Sequence, residues 1–189
     1  MKIRFFILLL IIFGCETKNK KSVSEKIETK KLTSQKIEIE NNKYFVGDIN
    51  KDKVNDTAFI NVKRNIGTNE IECGNKNCFI NIKFSKNIPE ISFEQSLGVF
   101  VAKTEDLNKD NANEIITFSR TYEGWWNNIS VWTLKNGKWN EIGKTKGYIS
   151  ENKDFENRIV KENNKYYLIG ENQFKENEKG EFIEMKIKI

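Results

Sequence analysis

A nine-residue pattern of acids and amides occurs twice in this chain. Asp48-Ile49-Asn50-Lys51-Asp52-Lys53-Val54-Asn55-Asp56 returns as Asp106-Leu107-Asn108-Lys109-Asp110-Asn111-Ala112-Asn113-Glu114, so both copies read D-x-N-x-D-x-x-N-[DE]. Each copy is preceded by an apolar run, Tyr44-Phe45-Val46 and Val99-Phe100-Val101-Ala102. Each is followed by another, Thr57-Ala58-Phe59-Ile60-Asn61-Val62 and Ile115-Ile116-Thr117-Phe118. Short runs rich in β-branched and aromatic residues read as strands. The repeated unit is therefore strand, polar loop, strand, and the fold has to hold two such units.

The spacing has a chemical reason. Calcium takes six to eight oxygen ligands at about 2.3–2.6 Å. In a tight loop the side chains at positions 1, 3 and 5 converge, and a carbonyl at position 7 with a carboxylate at position 9 can close the shell. Those positions are Asp48, Asn50, Asp52, Val54 and Asp56 in the first loop. In the second they are Asp106, Asn108, Asp110, Ala112 and Glu114. Both loops are expected to bind calcium in a structural role, screening clustered carboxylates and pinning the strand connections. The alternative is a pair of Asx-rich turns with no metal.

The acid that closes an EF-hand at position 12 is absent, since Phe59 and Thr117 stand there, and the flanks look like strands rather than helices. The strand–loop–strand context resembles the FG-GAP/VCBS type of repeat of integrin-like β-propellers and bacterial surface proteins. The resemblance covers each loop with its flanking runs, 44–63 and 99–118. It implies a D-x-[DN]-x-[DN]-G-x-x-[DE] loop that joins two strands around calcium. Position 6 departs from it, with Lys53 and Asn111 in place of glycine. Asparagine tolerates the positive φ expected there better than lysine does.

The rest of the chain continues the β texture. Residues 36–40, 79–84, 129–134 and 182–189 alternate with period two, the mark of half-buried strands. Asn136-Gly137 lies between two such runs and predicts a hairpin. Glu162-Asn163-Asn164-Lys165 and Asn177-Glu178-Lys179-Gly180 predict two more. Trp132 and Trp139 flank the Asn-Gly turn and predict a cross-strand aromatic contact. The expected fold is mainly β, an antiparallel meander of hairpins forming a partial propeller-like stack or a compact β-sandwich. At the spacing of the two loops, the chain holds too few repeats for the usual closed propeller of four to eight blades.

The N-terminus carries an address. Lys2 and Arg4 precede Phe5 to Phe13, an unbroken apolar run of nine residues. That is short of the roughly 20 residues a membrane span needs and fits the hydrophobic region of a secretory signal. Ile12-Phe13-Gly14-Cys15 then resembles the lipobox of bacterial lipoproteins, with Phe13 departing from its usual residue type. The resemblance implies removal of residues 1–14 and a diacylglycerol on Cys15, which would anchor the chain at the bacterial cell envelope. The alternative is an ordinary secretory signal, or an uncleaved anchor, with an incidental cysteine. Of the three cysteines, Cys73 and Cys78 then remain, in a compartment where disulfides persist. They are expected to pair across Gly74-Asn75-Lys76-Asn77. Residues 15–36, polar and without aromatics, are expected to form a flexible tether, and residues 37–189 a single β-rich domain.

Composition narrows the function. The formal charge is +5, or +3 without Lys2 and Arg4, and basic residues are interspersed with acidic ones, which argues against a nucleic-acid partner. With no histidine, Ser-His-Asp and Cys-His catalysis are excluded. Trp125 and Trp126 are adjacent before a strand, so one can be core and the other exposed to a glycan or a protein; packing of a loop over the sheet edge is the alternative. The expected function is a membrane-anchored, non-catalytic module for protein or glycan contact. A carbohydrate-binding accessory protein and a carboxylate-dependent hydrolase are the alternatives.

Overall fold

A computed structural model describes residues 36–68, 70–71, 79–149, 155 and 157–189 of the chain. Cys15, Cys73, Cys78, the expected signal segment 1–14 and the expected tether before residue 36 lie outside the described residues. In chain order the strands are β1 (Ile37–Gly47), β2 (Asp56–Asn65), β3 (Phe79–Phe84), β4 (Ile91–Glu94), β5 (Gly98–Lys103) and β6 (Ile115–Arg120). They continue with β7 (Trp126–Lys135), β8 (Lys138–Tyr148), β9 (Ile159–Glu162), β10 (Lys165–Glu176) and β11 (Phe182–Lys188).

Each strand pairs antiparallel with the one before it inside three successive sheets. These are β1-β2-β3-β4, β5-β6-β7-β8 and β11-β10-β9. The mainly β, antiparallel hairpin architecture is as expected from the alternation. The three predicted turns all form. Asn136 and Gly137 (φ 52° and 69°) and Asn163 and Asn164 (φ 50° and 59°) are two-residue loops with both residues at positive φ, which matches the twist of the flanking strands. Asn177 accepts the N–H groups of Lys179 and Glu181 through Oδ1, and Gly180 turns the chain at φ 77°.

The sheets pack face to face. Ala58, Ile60 and Val62 of β2 and Ile80, Ile82 and Phe84 of β3 meet Val99, Val101 and Ile115 of the second sheet. On the opposite face of that sheet, Ile116, Phe118, Ile129 and Val131 meet Tyr166 and Leu168 of β10. The middle sheet is thus covered on both sides, which is why Ile115 to Ser119 are all buried and β6 shows little alternation. Burying a side chain such as Phe118 contributes roughly 1.5–3 kcal/mol. The close approach of β10 to β8 depends on Gly170, where a Cβ would lie 2.1 Å from Thr145 Oγ1 and 2.5 Å from the Lys146 carbonyl.

Trp132 and Trp139 depart from expectation. Trp139 lies opposite Leu134 and Trp132 opposite Glu141, next to a bulge after Val131. Each indole turns to the first sheet, Trp139 to Phe84 at 5.0 Å and Trp132 to Phe93 at 6.5 Å between ring centroids. Their N–H groups donate to the Pro89 carbonyl and to Thr117 Oγ1. The layer between two sheets offers these rings more apolar surface than a partner on the same hairpin.

Candidate functional site

Both Asp/Asn loops occupy the same place in their sheets, joining β1 to β2 and β5 to β6. Their backbones repeat as well. Positions 4 and 6 are left-handed in both, Lys51 and Lys53 at φ 68° and 63°, Lys109 and Asn111 at φ 64° and 67°. Lysine pays about 1–2 kcal/mol for that conformation. The first acid of each loop offsets this by accepting the N–H of position 6. Lys53 N donates to Asp48 Oδ2 at 2.7 Å, and Asn111 N to Asp106 Oδ2 at 2.8 Å. The N–H groups of Asp52 and Asp110 bond Oδ1 of the same two acids. Those of Val54 and Ala112 bond Asp52 Oδ1 and Asp110 Oδ1.

The last acids, Asp56 and Glu114, are both fully buried. Each reaches back to the second residue of its loop. Ile49 N donates to Asp56 Oδ2 at 3.2 Å and Leu107 N to Glu114 Oε2 at 2.6 Å. Burial pushes the Glu114 carboxyl above its usual range. The Leu107 N–H and the Thr133 hydroxyl act against that shift, and the charges of Asp110 and Asp106 add to it.

The loops differ in where their carboxylates point. In the second, one oxygen each from Asp106, Asp110 and Glu114 lie within 4.8 Å of one another. Ligands of one calcium ion stand at most about twice 2.3–2.6 Å apart, so this donor set fits calcium. Asn108 presents its amide nitrogen to Glu114 Oε1 at 2.7 Å and to Thr133 Oγ1 at 3.0 Å. Binding calcium through this residue would require the oxygen to turn inward. In the first loop Asp52 Oδ2 pairs instead with the ammonium group of Lys86, which also lies 3.9 Å from Asp56 Oδ1. The hydrogen bond from Lys86 holds the Asp52 carboxyl below its usual range. Asp56 Oδ1 further accepts the Ser85 hydroxyl at 2.9 Å.

Of the predicted carbonyl positions, Val54 is exposed and Ala112 buried. The two loops also touch. Asn113 and Asp48 exchange hydrogen bonds, and Lys51 Nζ lies 3.1 Å from Asp110 Oδ2. Lys86, Ser85, Thr133 and Asn113 escaped the sequence reading as site residues. Only Asn113 had a visible signal, the shared asparagine at position 8. The others arrive through strand pairing.

The adjacent tryptophans separate as β geometry allows. Trp126 is buried between Tyr148 and Phe182. Trp125 is 49% exposed, with the Arg120 guanidinium 4.8 Å from its ring centroid. A groove of about 1080 Å³ runs beside the loops, lined by Lys51, Lys86, Lys135, Asn108 and Asp110 among others. A second, of about 830 Å³, lies between the middle and last sheets and includes Phe100, Phe155, Glu105 and Arg158. In comparisons with known proteins the chain matches no family model, no curated protein and no solved structure.

Proposed function

We propose that this is an exported, lipid-anchored, non-catalytic β module of the bacterial envelope, in which calcium in the second loop fixes a surface for protein or glycan contact. The observation that carries the calcium reading is the convergence of Asp106, Asp110 and Glu114 within 4.8 Å. A buried Glu114 beside two further acids is costly without a cation and favourable with one. Asp106, Asp110 and Glu114 would hold the ion by side-chain oxygens, with Asn108 and the Ala112 carbonyl as further donors. The metal's part is structural: it would tie the start of β6 to the loop and, through Asn113 and Lys51, to the first loop. Of the two adjacent tryptophans, Trp125 offers the exposed ring for contact with a sugar or a partner.

The test is thermal unfolding of the full chain in detergent, with calcium and with chelator. Calcium at 100 times its dissociation constant should add about 2.7 kcal/mol of stability. Asp110→Asn should remove that gain. An unfolding temperature indifferent to calcium would overturn the calcium reading. Mass spectrometry of the mature N-terminus tests the anchor, and an unmodified Cys15 would overturn it.

A further inference from the structure

The two loops share a backbone and a ligand pattern, yet different groups face their closing acids. Strand pairing explains this. β2 pairs β3 with Ala58 opposite Phe84, and the turn that leaves β3 through Ser85 and Lys86, the latter at φ 59°, brings both side chains to Asp56. β6 pairs β7 with Ile115 opposite Trp132, and one further step sets residue 133 opposite Glu114. Equivalent places beside the two loops are therefore held by Lys86 in one sheet and Thr133 in the other. Lys86 carries a positive charge and three donors, whereas Thr133 carries a neutral hydroxyl.

We infer that the ammonium group of Lys86 is the resident cation of the first loop, so that the chain takes up one calcium ion, in the second loop alone. Lys86 pairs with Asp52 and approaches the buried Asp56, two of the acids a calcium ion would need in the first loop. An incoming ion there must displace that ammonium or sit against its charge. Lys51 does not do the same for the second loop. Its ion pair is with Asp110, and the buried closing acid Glu114 faces Thr133 and Asn108 instead. The two loops are thus one scaffold with two occupants, a fixed internal cation and an exchangeable one.

The inference rests on the second loop being a calcium site, and titration separates the two. Calcium chloride is titrated calorimetrically into the full chain in detergent, and into its Lys86→Gln and Asp110→Asn variants. The expected stoichiometries are one for the wild type, two for Lys86→Gln and zero for Asp110→Asn. Two ions in the wild type, or no gain in Lys86→Gln, would overturn the inference. If the wild type binds none and Lys86→Gln gains one, the second-loop reading fails and the role of Lys86 stands. Should Lys86→Gln not fold, Asp110→Asn decides: one ion retained overturns the inference, and loss of a single wild-type ion supports it.

Discussion

The N–H of Asp48 donates to Oδ1 of Asn113 at 3.1 Å, and the N–H of Asn113 donates to the carbonyl of Asp48 at 2.8 Å. This reciprocal pair, distant in sequence, clasps the first loop to the second. Asn113 also donates through Nδ2 to the Thr104 carbonyl at 2.8 Å. Gly47, at φ 77°, makes room for it, since a Cβ there would stand 2.4 Å from Asn113 Oδ1.

The clasp predicts that Asn113→Ala destabilises the fold by about 1–3 kcal/mol, because it leaves a backbone donor and an acceptor unpaired. Gly47→Ala should cost at least as much, since it adds positive-φ strain to the clash. Urea unfolding of both variants measures this. Midpoints unchanged from wild type in both would mean that the loops do not depend on each other.

Trp126 and Trp125 should behave oppositely although they are neighbours. Trp126→Ala removes a ring packed at 4.7 Å from Phe182 and should cost about 3–5 kcal/mol. Trp125→Ala loses mainly an exposed cation–π contact with Arg120, worth roughly 0.5–1 kcal/mol. Denaturant midpoints check the contrast. Acrylamide quenching of the wild type should drop in Trp125→Ala, since the accessible indole is the one removed.

Gly170→Val should disrupt packing of β10 on β8. The added atoms meet Thr145 and the Lys146 carbonyl, and backbone cannot yield as a flexible side-chain end can. A loss of about 1–3 kcal/mol or more is expected for such overpacking. Hydrogen exchange should show it first as lost protection in β9 to β11. Unchanged protection there would contradict the sheet-to-sheet contact.

The ribbon of β1 and β2 should carry an acid-sensitive contact. The Arg64 Nε–H at 2.8 Å, and after it the Asn42 amide, hold the Glu40 carboxyl below the usual glutamate range. A depressed folded value means the contact stabilises fully above the unfolded glutamate pKa and is lost as pH falls through the lower folded one. Carboxyl-carbon NMR should place the Glu40 midpoint below the ordinary glutamate range, and Arg64→Met should raise it. Equal midpoints in wild type and variant would remove the assignment. The pair is partly exposed, so its effect on global stability should be small.

Local features of this protein were legible in the chain itself. The duplicated loops, the Asn136-Gly137 hairpin and the period-two strands depend on residues close in sequence, where turn chemistry and side-chain alternation act directly. β6 is legible from its apolar run Ile115-Ile116-Thr117-Phe118 and not from alternation, which covering both faces of the middle sheet erases. Tertiary structure alone decided what faces each loop. Lys86 reaches Asp52 and Asp56 because β3 pairs β2, and Thr133 meets Glu114 because β7 pairs β6. The clasp between Asp48 and Asn113 joins residues from different sheets. Sequence thus wrote two nearly identical Asp/Asn loops, and strand pairing, which brings distant residues together through the backbone, made them unlike.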